Sequence, residues 1–566
     1  MRRALSPDRY GQLHHPGQTP RMSASGHSFD TVVADRKLEV QRTQASSVDE
    51  SGKDMALQIP APMSINGDSD STSARSSEAT VSVPDDEYQV TLDPEDDPKK
   101  LSVGRKWLIT LLICNAALCA TFASSIASFT EKGLQRDFHT VHEVTVLSIS
   151  LYVEGLAMGP LLFAPLSEVY GRNNVYRVSY FLFWVFTWPV AFPPDIATFL
   201  VFRFLTGFSS SAFLSVAAGS VSDLFENGKV ATPMGVYTLS PFVGPVLGPL
   251  VGGFICQNAN YRWVYRVCLI YEFVTLVTLF LVCLIIATKS VLSPLKRAYF
   301  VPETYVPVIL RRKAARIRKE TGDEKFWAPL DHRDESLSES IMMSIYTPFK
   351  LLLFDPMALS LNMWNAITLG ILYLTFEAFP IIFGEEHGFS DEEVGLAFLG
   401  MGVGLLAALA TQGFWNRFDR KIDEKHGGST PPETCLVMGM AGGVLAPIGL
   451  FWMAFTTYSA VPWILPIIAS SLFGVSIYYI FASTFTYLTT AYRPIAASAL
   501  ASNTALRCSF AAVFPLFAVQ MYHRLSTAGA TALLAGLMTL MTPLPFLYYR
   551  LGKRFRARSK FAVVDD

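Results

Sequence analysis

The sequence predicts an all-α membrane protein with twelve transmembrane helices in two six-helix bundles. Three observations carry this reading. Of 566 residues, 51% are hydrophobic and only 16% are charged, and the mean hydropathy is +0.33. A soluble globular chain carries about 25% charged residues. From Trp107 onward, apolar runs of membrane length, about 20 residues each, follow one another. None shows the alternation of a barrel strand, and lipid admits only helices or closed barrels.

The elements follow in chain order. Residues 1–104 are rich in Ser, Pro, Asp and Gly, bury almost nothing and read as a disordered cytoplasmic tail. Twelve spans follow at 107–127, 144–164, 176–194, 198–221, 233–255, 265–288, 356–383, 394–414, 435–455, 463–488, 496–519 and 529–549. The 289–348 connection divides them six and six, giving bundles over 105–288 and 349–549 and a basic cytoplasmic tail over 550–566. A long linker between two six-helix halves suggests a duplicated architecture. Within that linker, Ile309 to Glu320 (ILRRKAARIRKE) reads as a basic amphipathic helix on the anionic inner leaflet.

Charge sets the orientation. Residues 1–100 hold 11 Lys and Arg against 17 Asp and Glu, a charge of −6, so the total of −1 conceals a membrane body of +5. One set of loops carries Lys132, Arg136, Arg262, Arg266 and Arg524. The other carries Arg172, Arg177, Lys229, Arg417, Arg420, Lys421, Lys425 and Arg493, together with the linker and the C-terminal tail. The second face is the cytoplasmic one, and both termini lie on it. The expected location is the plasma membrane, with the vacuolar membrane as the alternative.

Charges inside spans cost about 2.5–3.5 kcal/mol each on insertion scales and face the bundle interior. The candidates are Glu154, Arg203, Glu272, Glu377 and Arg507. Two readings of Glu154 stand: a proton or cation site, or a structural ion pair with Arg203. Arg203 either snorkels to the interface or serves beside Glu154. Arg507 lies deep enough to need an interior partner. Asn115, Asn365, Tyr478 and Tyr479 are candidate cavity residues beside the charged ones. Seven cysteines form no CxxC or Cys/His cluster, so no metal site and no cofactor is expected. Cys256 and Cys268 read as packing thiols, with a disulfide as the rarer alternative.

Span 5 reads GVYTLSPFVGPVLGPLVGG, and its small residues let helix backbones approach closely. This string resembles the antiporter motif of the major facilitator superfamily, and in particular of its fungal drug:proton antiporters with twelve spans. Gly235, Gly244, Gly248, Pro249, Gly252 and Gly253 match every position of that motif, and Arg203 with Gly207 matches the family's span 4 motif. The strings GPLLFAPLSEVYGRN, ALASNTALR and FPLFAVQMY are similar to the fungal group's. The loop after span 2 departs from the wider pattern: Gly171 and Arg172 are kept, Glu168 stands for the usual Asp as is common in the fungal group, and Asn173 stands where a basic residue is usual.

The resemblance implies alternating access and export of a small hydrophobic compound, such as a drug, toxin or secondary metabolite, in exchange for protons. It implies proton relay by Arg203, a hinge at the span 5 motif and an inner gate latched by Glu168 and Arg172. The implied partners are a small-molecule substrate, protons and the lipid bilayer, with a monomeric protein. The near-neutral charge excludes a nucleic-acid binder. Polyamine export through Glu154, Glu272 and Glu377 is the first alternative, and a proton-independent facilitator the second. A membrane enzyme would need a catalytic His within the spans, and all nine His residues lie outside the core spans as read here. A transport-like receptor would bind ligand without moving it.

Overall fold

The computed structural model describes residues 88–93, 96–226, 229–288, 303–331, 337–425 and 431–562. The disordered tail expected over 1–104 lies mostly outside these residues, as does the start of the linker. The described residues contain twelve long helices, labelled α1 to α12. They are α1 Val103–Ser125, α2 His142–Tyr170, α3 Arg172–Ala191, α4 Ile196–Leu224, α5 Ala231–Asn258 and α6 Arg262–Thr288. After the linker come α7 Pro356–Glu386, α8 Asp391–Ile422, α9 Leu436–Phe455 and α10 Ile464–Ala491. The last two, α11 over 496–525 and α12 over 527–558, are separated by Ser526, whose φ of 65° breaks the helical path. Its Oγ accepts from the Gly529 N–H at 3.3 Å and so caps the start of α12.

Local chemistry sets the ends of several helices. Asp195 accepts from the Thr198 N–H at 2.8 Å to start α4, and Asp355 accepts from the Met357 and Ala358 N–H groups to start α7. Ser390 and Glu393 form a reciprocal capping box at α8. Pro380, which has no N–H to donate, opens a π-helical turn, Pro380–Glu386, at the end of α7.

Two six-helix bundles result. In the first, α1 packs on α5, α2 on α4, and α3 on α4 and α6. In the second, α7 packs on α11, α9 on α10, and α8 on α10. The bundles meet where α5 lies on α8 and where α2 lies on α11.

On the linker side, the helix Val306–Thr321 carries the basic run. Ala314, with Leu310 and Ile317, packs against Val90, Ala328 and Phe326. Its apolar stripe is thus covered by protein, which corrects the expectation that this helix lies on lipid. A second linker helix, Leu337–Phe354, packs on both α2 and α11.

Candidate functional site

Arg203 is 2% exposed at the heart of the first bundle. Its Nε donates to the Ser148 carbonyl at 2.7 Å, and its terminal nitrogens donate to the carbonyls of Ala123 at 3.0 Å and Ser124 at 3.4 Å. The last two belong to the C-terminal turn of α1, where the helix dipole is negative and favours a cation. The guanidinium also lies 4.5 Å from the Tyr152 ring centroid and 5.8 Å from that of Tyr265. Glu272 on α6 is fully buried in the same bundle. Arg203, Thr187 and Cys119 are among its neighbours. The structure therefore gathers Arg203, Tyr152 and Glu272 into one buried polar cluster.

Glu154 is elsewhere. It is half-buried at the junction of the bundles, where the Ser509 hydroxyl of α11 donates to its Oε1 at 3.3 Å. It makes no ion pair among the described residues, so the expected Glu154–Arg203 pair is not formed. The reason is helical geometry. Ser148 and Tyr152 are one turn apart on the face of α2 that meets Arg203, and Glu154 is rotated about 200° from Tyr152. Arg203 does not snorkel either, since the carbonyls hold it inside. Arg507, next to Ser509 in the other bundle, is 7% exposed. Its partners are the rings of Phe481 at 5.5 Å and Phe485 at 5.3 Å rather than a carboxylate, and its Nε has no hydrogen-bond partner.

The amides and tyrosines divide between packing and junction. Asn115 donates to Thr275 at 3.1 Å and accepts from Tyr271 at 2.9 Å, joining α1 to α6. Asn365 is fully buried with neither end of its amide partnered. Tyr478 donates to Gln412 at 2.9 Å and to the Gly235 carbonyl of α5 at 3.4 Å, which places it between the bundles. Tyr479 shares a hydrogen bond of 2.7 Å with Thr411 and meets the Trp415 ring edge-on. Cys256 and Cys268 are free thiols.

The glycine motif of α5 packs on two helices. A Cβ at Gly244 would lie 2.6 Å from the Phe122 nitrogen, and one at Gly248 would lie 2.7 Å from the Ile126 nitrogen. Ser125 donates to the Gly244 carbonyl at 3.0 Å, so α1 and α5 touch backbone to backbone. Gly252 faces the Ile126 carbonyl, while Gly253 faces the Asp391 carbonyl of α8 and the Pro249 carbonyl faces Gly395. The motif thus fits α5 against its own bundle on one side and the opposite bundle on the other.

In the loop after α2, Gly171 has φ 92° and leads into Arg172. Arg172 pairs with Asp223 at the end of α4 at 3.0 Å and donates to the Val216 carbonyl at 2.9 Å. Its backbone N–H donates to Glu303 of the linker at 3.0 Å, and Glu303 lies 3.7 Å from Arg312. Glu168 stands one turn earlier on α2. Asp223 and Glu303 were missed in sequence. No local signal marks them, because only the fold brings the end of α4 and the linker to Arg172.

A second group lies at the end of the bundles bearing the α1–α2 and α7–α8 connections, where Glu377, a candidate from the sequence, meets Glu131 and His142, which were missed. Glu131 opens a short helix after α1, His142 opens α2, and Glu377 comes from α7. His142 Nδ1 lies 3.2 Å from Glu131, and its Nε2 lies 4.0 Å from Glu377. One donor atom from each residue lies within 4.8 Å of the other two. Burial, together with the neighbouring Glu377, holds the Glu131 carboxyl well above the usual carboxylate range. Nearby, Asn258 of α5 donates to Glu392 of α8, and Gln520 of α11 donates to Glu143 of α2 at 3.4 Å.

Comparison with known proteins places this architecture. Residues 112–515 match the family model of the Major Facilitator Superfamily. The efflux pump atB of Aspergillus terreus is 39% identical over 485 residues, covering 84% of this chain and 90% of atB. The probable drug/proton antiporter YHK8 of Saccharomyces cerevisiae is 38% identical over 476 residues, covering 84% and 89%. The fold is similar to the partially occluded inward-open xylose transporter XylE from E. coli (TM-score 0.54, 14% identity, 79% of this chain and 98% of that one). It is similar in the same degree to the human organic anion transporter MFSD10 (TM-score 0.54, 16% identity, 78% and 99%).

Proposed function

The chain belongs to the Major Facilitator Superfamily, and from that premise we propose that it is a proton-coupled antiporter exporting small hydrophobic compounds, such as drugs, toxins or secondary metabolites, by alternating access. The observation that carries this reading is α5. Its glycine motif fits against α1 of its own bundle and α8 of the other, in a chain whose relatives are named efflux pumps and a drug/proton antiporter.

The protein sits in the plasma membrane with both termini cytoplasmic, so the α1–α2 and α7–α8 connections lie on the outer side. Arg203 and Glu272 form the buried charge centre of the first bundle. Glu154 and Arg507 face the junction, where substrate passes and where the rings of Phe481 and Phe485 offer an apolar wall. Arg172, held by Asp223 and Glu303, orders the inner loop. Opening and closing the junction on alternate sides requires α5 to pivot on α8 while staying fixed to α1, which the backbone contacts of Gly244 and Gly248 support.

Reconstitution tests this. In proteoliposomes with an imposed pH gradient, a hydrophobic fluorescent substrate should move against its concentration gradient, and a protonophore should stop it. Transport that survives collapse of the gradient would make the protein a facilitator. Competition by spermidine alone, without competition by hydrophobic compounds, would make it a polyamine exporter.

A further inference from the structure

We propose that Glu131, His142 and Glu377 form a proton-binding site that spans the two bundles at their outer rim and takes up a proton when that rim closes. The proposal rests on the alternating-access reading and adds to it a site for the coupling ion outside the Arg203 cluster.

The geometry separates the three groups by bundle. Glu131 and His142 belong to the first bundle and Glu377 to the second. Their approach to 3.2 and 4.0 Å is therefore a property of a closed rim, and it ends when the bundles part there. Glu131 and Glu377 are 7% and 6% exposed, and their carboxyls face each other within hydrogen-bonding reach. The His142 side chain is 31% exposed, giving the buried pair a route to outside water.

Charge then requires a proton. Closing the rim buries two carboxylates side by side. The groups facing Glu131 are Lys132 on its own short helix, His142 from α2 and Glu377 from α7. Lys132 is exposed and weakly effective. The α11 side contributes neutral Gln520, directed at Glu143. One proton shared by the two carboxyls removes the repulsion. The seat is a property of the coupled group rather than of one residue. In the open rim, the carboxylates part and return to water, which solvates each charge without a shared proton.

The sign follows from linkage. The closed rim binds one more proton than the open rim. Closure is therefore favoured by acid and lost as pH rises above the open-state range, with the closed-to-open ratio falling about tenfold per pH unit. An acidic exterior would thereby return the emptied carrier to its inward-facing form.

Spin labels at Arg136→Cys and Glu385→Cys, both exposed positions on opposite sides of the rim, read the opening. The full chain, with its native cysteines replaced, is placed in nanodiscs, and label distances are measured by double electron–electron resonance from pH 5 to 8. The ratio of short to long distances should fall about tenfold per pH unit over the titration. It should be flat in Glu131→Gln/Glu377→Gln. Each single variant, which removes the carboxylate pair but keeps one carboxylate beside His142, should show a shallower slope than the wild type. This provides the test if the double variant does not fold. A slope that persists in the variants, or a flat wild-type profile whose distances still respond to substrate, overturns the proposal and leaves alternating access standing. A slope abolished by EDTA also overturns it and assigns the cluster to a metal ion. One distance population that neither pH nor substrate moves overturns alternating access and the proposal together.

Discussion

Tyr152 presents its ring to the Arg203 guanidinium at 4.5 Å while its hydroxyl donates to the Ala120 carbonyl at 2.8 Å. The same arginine reaches Ala123 and Ser124 on α1 and Ser148 on α2. Arg203 is thus a clip joining three helices as well as a buried charge, and its removal has two separable effects.

Arg203→Ala should lower stability by about 3 kcal/mol, since hydrogen bonds to charged groups contribute about 1.5–3 kcal/mol each and the carbonyls lose their donor. Proton-driven export should fall to background. Arg203→Lys keeps the charge but not the planar fork, so it should recover most of the export and little of the stability. Melting in detergent and transport in vesicles, measured on the same preparations, separate the two.

Glu154→Gln should leave stability within about 0.5 kcal/mol, because the half-buried side chain has one weak partner at 3.3 Å. Proton-driven export should fall by about tenfold, or ~1.4 kcal/mol in the transport barrier. Unchanged export at every pH would remove Glu154 from the pathway.

Gly248→Leu places a side chain where a Cβ already meets the Ile126 nitrogen at 2.7 Å. Overpacking of this kind costs about 1–3 kcal/mol, and α5 must shift from α1 to accept it. Melting temperature and export should fall together. Gly413→Ala, at a position with open space around it, is the control.

Arg172 and Asp223 should prove coupled in a double-mutant cycle. The pair is 3.0 Å apart and mostly shielded, with side chains 15% and 23% exposed. Arg172→Gln and Asp223→Asn should each destabilise, and the double variant should lose about 1 kcal/mol less than their sum. Chemical denaturation of the purified protein checks this.

The spans and the α5 motif were legible in the sequence because they depend on local features, length, apolarity and glycine spacing. The separation of Glu154 from Arg203 was legible in principle, since positions 148, 152 and 154 fix their own faces on α2. What was not legible depends on contacts between distant segments. Glu131 and His142 flank a loop and read as ordinary surface residues until α7 brings Glu377 to them. Asp223 and Glu303 become relevant only when the end of α4 and the linker meet Arg172. The apolar stripe of Val306–Thr321 looked like a lipid face because nothing local shows that Val90 and Ala328 cover it.

The linker helix Leu337–Phe354 rests on α2 and α11 at once, and those two helices belong to different bundles. Rocking of the bundles therefore shears the surface on which this helix lies. It must slide along one partner or exchange protein contact for lipid. The cost of doing so falls on the barrier between the two states, so this helix bears on the rate of turnover rather than on its driving force.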